Sequence, residues 1–252
     1  MKALVVFAHP EAQSFNGQLK ETIVAALREQ GADVHVSDLY AMGFDPVEGP
    51  IHFEHRARPD VFDVQTEQRH AFDEQLMSED IRAEIAKLLE AELVVFQFPI
   101  WWFSMPAMLK GWLDRVFVYG LFTSRRRYDE GFFVGRRALV SVTAGGPEST
   151  FSHNGRNGDL DLILWPLHFT LHYMGYTVLP HFATFGISAS IRYAGISADA
   201  PRLEHYKADL RAHIAKIDQM TPLRFNGWQD WDALGQLKPD APSFSPFMRH
   251  AF

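Results

Sequence analysis

A short apolar run followed by a helix-periodic stretch recurs along most of this chain, and that alternation restricts the fold more than any other feature. Lys2–Ala8 is almost wholly apolar, the pattern of a strand covered on both faces. In Asn16–Gln30, the residues Leu19, Ile23, Ala26 and Leu27 recur at helical spacing, and Gly31 supplies the stop. The same two signals then repeat. Strands are expected at Val34–Ser37, Leu93–Phe98, Arg137–Val142 and Thr177–Leu179, and helices at Ile81–Leu89, Ala107–Val118, Leu160–Met174 and Leu203–Ile217. Pro166 falls inside one of these helices and should kink it. Helices placed between buried strands act as crossover connections, so the sheet is parallel and covered on both sides. Five strands in this arrangement predict a doubly wound α/β domain of order 2-1-3-4-5.

Two segments exceed that unit. Tyr40–Glu79 is too long for a bare connection in a compact domain and reads as an inserted segment. Thr221–Phe252, with four prolines and two tryptophans, reads as a C-terminal extension. No linker or repeat divides the chain, so residues 1–220 are expected to form one domain and 221–252 to pack on it. With 252 residues, 47% of them apolar, the chain can bury a large core. It has no apolar run near the roughly 18 residues that suggest a membrane span, and "MKALVVFAHPEAQSF" reads as a first strand, not a signal peptide. The lack of cysteine removes disulfides and thiolate metal sites and fits a cytoplasmic protein. The histidines have no zinc-type spacing, so no metal is expected. A net charge of −7 argues against nucleic acid as a partner. The basic run in "SRRRYDEG" (Arg125, Arg126, Arg127) is followed at once by acids and reads as a solvated loop.

In such sheets a ligand sits beyond the carboxyl ends of the strands, where the strand order reverses. Three loops leave those ends. In "AHPEAQSFNGQ", Ser14 or Asn16 can cap the next helix, whose free N–H groups make a phosphate site, with His9 at the strand exit as a further donor. In "VVFQFPIWWFSMPAMLKGWLDRVF", Pro99 ends the strand and Pro106 opens the next helix. Trp101, Trp102 and Phe103 are thereby held at the crevice mouth, where planar side chains suit a stacked ring system. In "SVTAGGPESTFSHNGRNGD", the turn Thr143–Ala144–Gly145–Gly146 lets the backbone approach a flat heterocycle closely. Phosphate loop, aromatic wall and glycine rim together describe a flavin site.

At these residues the chain resembles the NAD(P)H:quinone oxidoreductase (DT-diaphorase) family of the flavodoxin-like fold. The matching stretches are "AHPEAQSFNGQLKE", "SDLYAMGFDPV", "FQFPIWWFSMPAMLKGWLDRVF", "TAGGPESTFSHNGRNGD" and "ILWPLHFTLHYMGY", in family order over roughly residues 1–180. The resemblance implies a homodimer with two active sites at its interface, each holding a flavin, with the extension 221–252 packed on the dimer. It implies FAD, with FMN as the alternative, and NAD(P)H as co-substrate. The pyrophosphate would lie on Ser14, Phe15 and Asn16, with His9 and Gln18 beside it. The ring would meet Pro99, Ile100, Trp101, Trp102 and Phe103 on one side and Thr143, Ala144, Gly145 and Gly146 on the other. Asp114 would contribute across the dimer, Asp63 (with Phe62) would cover the adenine, and Arg202 is the candidate for an arginine near the last helix.

The chain departs from the family at two positions. Phe151 stands where the best-studied members have a tyrosine, and Asn157 stands where some have a histidine, so neither can donate a proton as those side chains do. His153 is the candidate replacement, and Phe151, Asn157 and His153 make up the expected catalytic set. The function expected is hydride transfer from NAD(P)H through flavin to a quinone or similar aromatic acceptor by a ping-pong cycle. The alternatives are an FMN-dependent azo- or nitroreductase, and a flavin-binding electron carrier or regulatory subunit.

Overall fold

The computed structural model describes residues 1–121, 126–187 and 200–250; Arg125 of the basic run and the "SASIRYAG" stretch lie outside them. The strands are β1 (Lys2–Phe7), β2 (Asp33–Asp38), β3 (Leu93–Pro99), β4 (Arg137–Thr143), β5 (Thr177–Val178) and β6 (Phe182–Thr184). The helices are α1 (Phe15–Glu29), α2 (Val64–Asp73), α3 (Glu79–Glu90), α4 (Ala107–Val116), α5 (Leu160–Tyr173) and α6 (Ala200–Ala215). Every strand pair is parallel, and the order is β2-β1-β3-β4-β5, as the alternation predicted.

The fifth position differs from the expected single strand. β5 pairs with the start of β4 (Ala138 opposite Val178) and β6 with its end (Ser141 opposite Phe182), so the register slips by one residue between them. Pro180 lies in that gap. It has no N–H to give the ladder, which is why the strand breaks there and a second piece resumes beyond it.

Side chains alternate across the strands and supply two cores. Val94, Phe96 and Phe98 face α3, α4 and α5, while Val5, Val95 and Leu139 face α1 and α6. The segment between β2 and α3 contains α2 and is tied to the domain through buried polar groups. Glu67, fully buried, accepts from the N–H groups of Ala57 (2.7 Å) and Arg58 (3.1 Å). Gln68 donates to Glu48 and to the Asp114 carbonyl, both at 2.9 Å, and accepts from the Tyr119 N–H. Arg115 on α4 donates to the Asp45 carbonyl at 2.7 Å.

The extension packs on its own chain. The Leu223 N–H donates to Val178 at the sheet edge (2.9 Å), and His172 Nε2 donates to the Asn226 carbonyl (2.9 Å). The Phe225 ring stacks on His172 (4.6 Å), Phe247 stacks on Trp165 (4.7 Å), and Trp228 and Trp231 flank Tyr128.

Candidate active site

The first loop turns tightly from β1 into α1. Ser14 caps the helix: its Oγ accepts from the Gly17 N–H at 3.2 Å and its carbonyl from Gln18 at 3.0 Å. A β-carbon at Gly17 would lie 1.9 Å from the Ala12 carbonyl oxygen, so glycine is what lets the loop fold back on the helix. The N–H groups of Phe15 and Asn16 are the donors this first turn can offer an anion. Their side chains are engaged elsewhere, since the Phe15 ring is buried in the α1–α6 core near Tyr206 and Asn16 binds across the sheet. Gln18 is half-buried one turn on. His9 is buried, and its Nδ1 lies within hydrogen-bond distance of both the N–H (3.0 Å) and the carbonyl (3.1 Å) of Glu11.

The second loop is a tight turn. Trp101 and Ser104 exchange both backbone hydrogen bonds (2.9 and 3.1 Å), and Trp102 and Phe103 between them have φ of +51° and +58°. Two consecutive left-handed residues define the turn that normally takes Asn-Gly. Here two aromatics occupy it at a strain of about 1–3 kcal/mol each. Trp102 is 95% exposed and Phe103 54%. Trp101 is half-buried and its ring sits 5.8 Å from His9, while Pro99 is buried and Ile100 half-buried, with the Ile100 N–H on the Thr143 carbonyl at 2.9 Å. Trp102 and Phe103 are thus not core; they stand exposed just beyond the carboxyl end of β3.

The third loop follows β4. The Ala144 N–H donates to Thr184 (2.8 Å) and its carbonyl accepts from Ile187 (2.9 Å), so of this rim only Gly145 and Gly146 can offer N–H groups to a ligand. Gly146 packs closely on Phe151, Asn157 and Thr150. Arg202 donates to the Phe185 and Gly186 carbonyls (3.1 and 3.2 Å), and Gly186 in turn donates to the Gly146 carbonyl (2.8 Å). Arg202 thereby braces the backbone behind the rim. The three loops are joined beneath by a residue that sequence reading passed over. Gln97, the one polar residue in the apolar β3 run, donates to Asn16 Oδ1 (2.9 Å), and Asn16 donates to Thr143 Oγ1 (2.8 Å).

A family model described as flavodoxin-like fold matches residues 1–214. Ribosyldihydronicotinamide dehydrogenase [quinone] of Mus musculus is 44% identical over 197 residues, which is 75% of this chain and 83% of that one. A ribosyldihydronicotinamide dehydrogenase-like protein of Penicillium crustosum is 41% identical over 91% of this chain and 86% of its own. A solved structure from Klebsiella pneumoniae, provisionally assigned as a quinone reductase, superposes with a TM-score of 0.88 at 36% identity over 97% of both chains. The chain belongs to the NAD(P)H:quinone oxidoreductase family.

Placed within this oxidoreductase, the remaining expected residues fall into two groups. Phe151 and Asn157 lie against the glycine rim, but both are engaged. The Phe151 ring is 9% exposed and packs 5.7 Å from Phe185. Asn157 clips its loop closed, donating from Nδ2 to Thr150 Oγ1 and from its N–H to the Thr150 carbonyl, both at 2.9 Å. His153 is exposed. Asp63 and Asp114 are not part of the three-loop edge of this chain. Asp63 caps α2, accepting from the Thr66 N–H at 2.9 Å. Asp114, paired with Lys110 on the outer face of α4, lines a separate cleft of about 440 Å³ with Gln68, Phe117 and Tyr173. Among the described residues no cluster of histidine and carboxylate side chains could hold a metal, and no helix is long and apolar enough to cross a membrane.

Proposed function

We propose that this oxidoreductase holds FAD non-covalently and passes a hydride from NAD(P)H to a quinone by a ping-pong cycle, as a homodimer. The observation that carries the reading is the strained turn that keeps Trp102 and Phe103 facing outward beside the glycine rim. Strain of this kind persists where the surroundings enforce it, and an exposed indole in a positive-φ turn gives nothing to the core. A flat ring laid there would meet Trp101–Phe103 on one side and Gly145–Gly146 on the other. The first turn of α1 would hold a phosphate through its N–H groups, with the His9 ring nearby at the exit of β1.

The chemistry a bound flavin supplies is hydride uptake from NAD(P)H and its delivery to the acceptor. The protein's part is alignment and charge. The outward aromatics define one stacking face that donor and acceptor occupy in turn, and the Gly145 and Gly146 N–H groups offer donors toward charge that develops at the ring edge. Neither Phe151 nor Asn157 titrates, so no side-chain proton is supplied at those positions.

A second copy is supported by the exposed apolar residues of the inserted segment: Val47, Ile51, Val61 and Val64. The Asp114 cleft, which Val64 and Gln65 of α2 border just after Asp63, would then serve the partner's cofactor, and the 221–252 extension would border the same interface. FAD is favoured over FMN because the α2 segment gives an adenine something to lie against. The test is to purify the protein, record its visible spectrum, release the flavin and weigh it. FAD by mass from a protein that light scattering sizes as a dimer is expected. A colourless protein that takes up neither FAD nor FMN sinks the reading, and FMN by mass corrects its finer part.

A further inference from the structure

On the α1–α6 side of the sheet, its carboxyl end carries polar side chains where the rest of that face is apolar. Gln97 and Ser141 are partners across β3 and β4, and Thr143 lies one side-chain step further on. The two-residue period of a strand puts all three on the face of Val95 and Leu139. Each is at least 97% buried, and Asn16 from α1 is buried among them. A buried amide costs free energy unless its hydrogen bonds are made. Gln97 makes one, from Nε2 to Asn16 Oδ1, while its Oε1 and the neighbouring Ser141 Oγ have no partner. The site is therefore a poor choice for stability alone.

The bonds that are made run in one direction. Gln97 donates to Asn16, and Asn16 donates to Thr143 Oγ1. Donation into Asn16 Oδ1 fixes which way that amide faces, so its NH₂ must point at Thr143. A hydroxyl that has accepted still has one proton to give. Successive donor–acceptor steps of the same sense polarise one another. Thr143 closes β4 at the start of the glycine rim, next to the backbone that receives the Ile100 N–H.

We propose that Gln97 is a positioning residue for the flavin site. Acting through Asn16, it turns the Thr143 hydroxyl proton outward, so that Thr143 presents a donor to an acceptor atom on the edge of the bound ring. The proposal rests on the flavin reading above and adds a residue that touches neither ring nor phosphate. It differs from a simple brace, which would hold the loops together whichever way the hydroxyl pointed.

The test is a double-mutant cycle on flavin release from the protein as purified, followed by the fluorescence of FAD freed on dilution. Gln97→Met keeps the volume and removes the donor; Thr143→Val removes the output. A relay predicts that Gln97→Met weakens binding by roughly 10-fold, the scale of one polarised hydrogen bond, and shifts the flavin absorption band. It also predicts that adding Gln97→Met to Thr143→Val costs less than about twofold more, because coupled residues are not additive. Full additivity overturns the relay and leaves the flavin reading standing. If Gln97→Met fails to fold, Gln97→Glu decides. A buried carboxyl is held protonated by its surroundings and can still donate to Asn16. Flavin affinity of that variant should approach wild type at acid pH and fall as the carboxyl ionises, and a loss independent of pH overturns the proposal. A wild-type protein that binds neither FAD nor FMN removes the flavin reading, and this proposal falls with it.

Discussion

Phe151 and His153 are two residues apart in the chain and have opposite surroundings. The Phe151 ring is nearly enclosed beside Phe185, so truncation opens a cavity before it affects any ligand. Phe151→Ala is expected to lower stability by about 3 kcal/mol or more, read as a fall in the urea midpoint at unchanged slope. A variant of wild-type stability that only binds its acceptor poorly would return Phe151 to the role of a pocket wall. His153 is exposed, and hydride transfer into a stacked ring asks for alignment more than for an acid. His153→Gln should leave the rate of flavin reduction by NAD(P)H within about twofold of wild type from pH 5.5 to 8.5, since a general acid contributes on the order of 100-fold or more. Stopped-flow absorbance decides this, and a loss of that size would make His153 the missing proton donor.

Among the elements, the Trp101–Ser104 turn links strain to function most directly. Its backbone suits Asn-Gly, and its aromatics are mostly in water. Replacing Trp102 with Asn and Phe103 with Gly together should therefore raise stability by about 1–2 kcal/mol while weakening flavin retention at least 10-fold. Urea titration and flavin release measure the two effects separately, and a destabilised double variant would contradict the account of strain.

The same turn marks how far the sequence could be read. The two prolines that bracket three adjacent aromatics made the end of β3 legible, because proline fixes φ locally, and the strand does end at Pro99 with Trp102 and Phe103 exposed beyond it. Most strands and helices were legible for a similar reason, with boundaries within about three residues, since apolar period follows burial, whereas α2 inside the inserted segment was not anticipated. The split of the fifth strand was less legible. Pro180 signals a break, but only pairing with β4 reveals that a second strand resumes at Phe182. Gln97 stood out as a polar letter in "LVVFQFP", yet its partners are 81 residues back in the chain and then across on β4, a separation no local pattern encodes. Arg202 was placed by resemblance, and its grip on the Phe185 and Gly186 carbonyls needed the folded chain to be seen.

At the scale of the whole molecule, buried histidines set the response to acid. Burial, with the neighbouring His181, pushes His168 down to about 3, and burial also lowers His172, His181 and His213. These groups fold neutral and take up protons more readily when unfolded. Their contribution to stability is therefore complete above about pH 6.5, the ordinary histidine value, and is lost as pH falls toward the folded values. His168 alone accounts for about 2 kcal/mol of loss by pH 5. The urea midpoint should drop between pH 7 and pH 5, and His168→Leu should flatten part of that slope. A midpoint level across the range would mean that these rings take up protons as readily in the native fold as in the unfolded chain.

The contact between Leu223 and Val178 has a consequence for solubility. β5 lies on the outer margin of the sheet, and an open strand there offers unpaired backbone groups to any passing chain. Pro180 breaks that margin into pieces too short to serve as a template, and the extension covers part of the first piece through the Leu223 N–H. A protein cut back to residue 220 should keep its parallel sheet, judged by circular dichroism. Bare at that margin and along the exposed side of Tyr128 and Phe169, it should become colloidally unstable, with light scattering that climbs over hours at concentrations where the full chain stays clear.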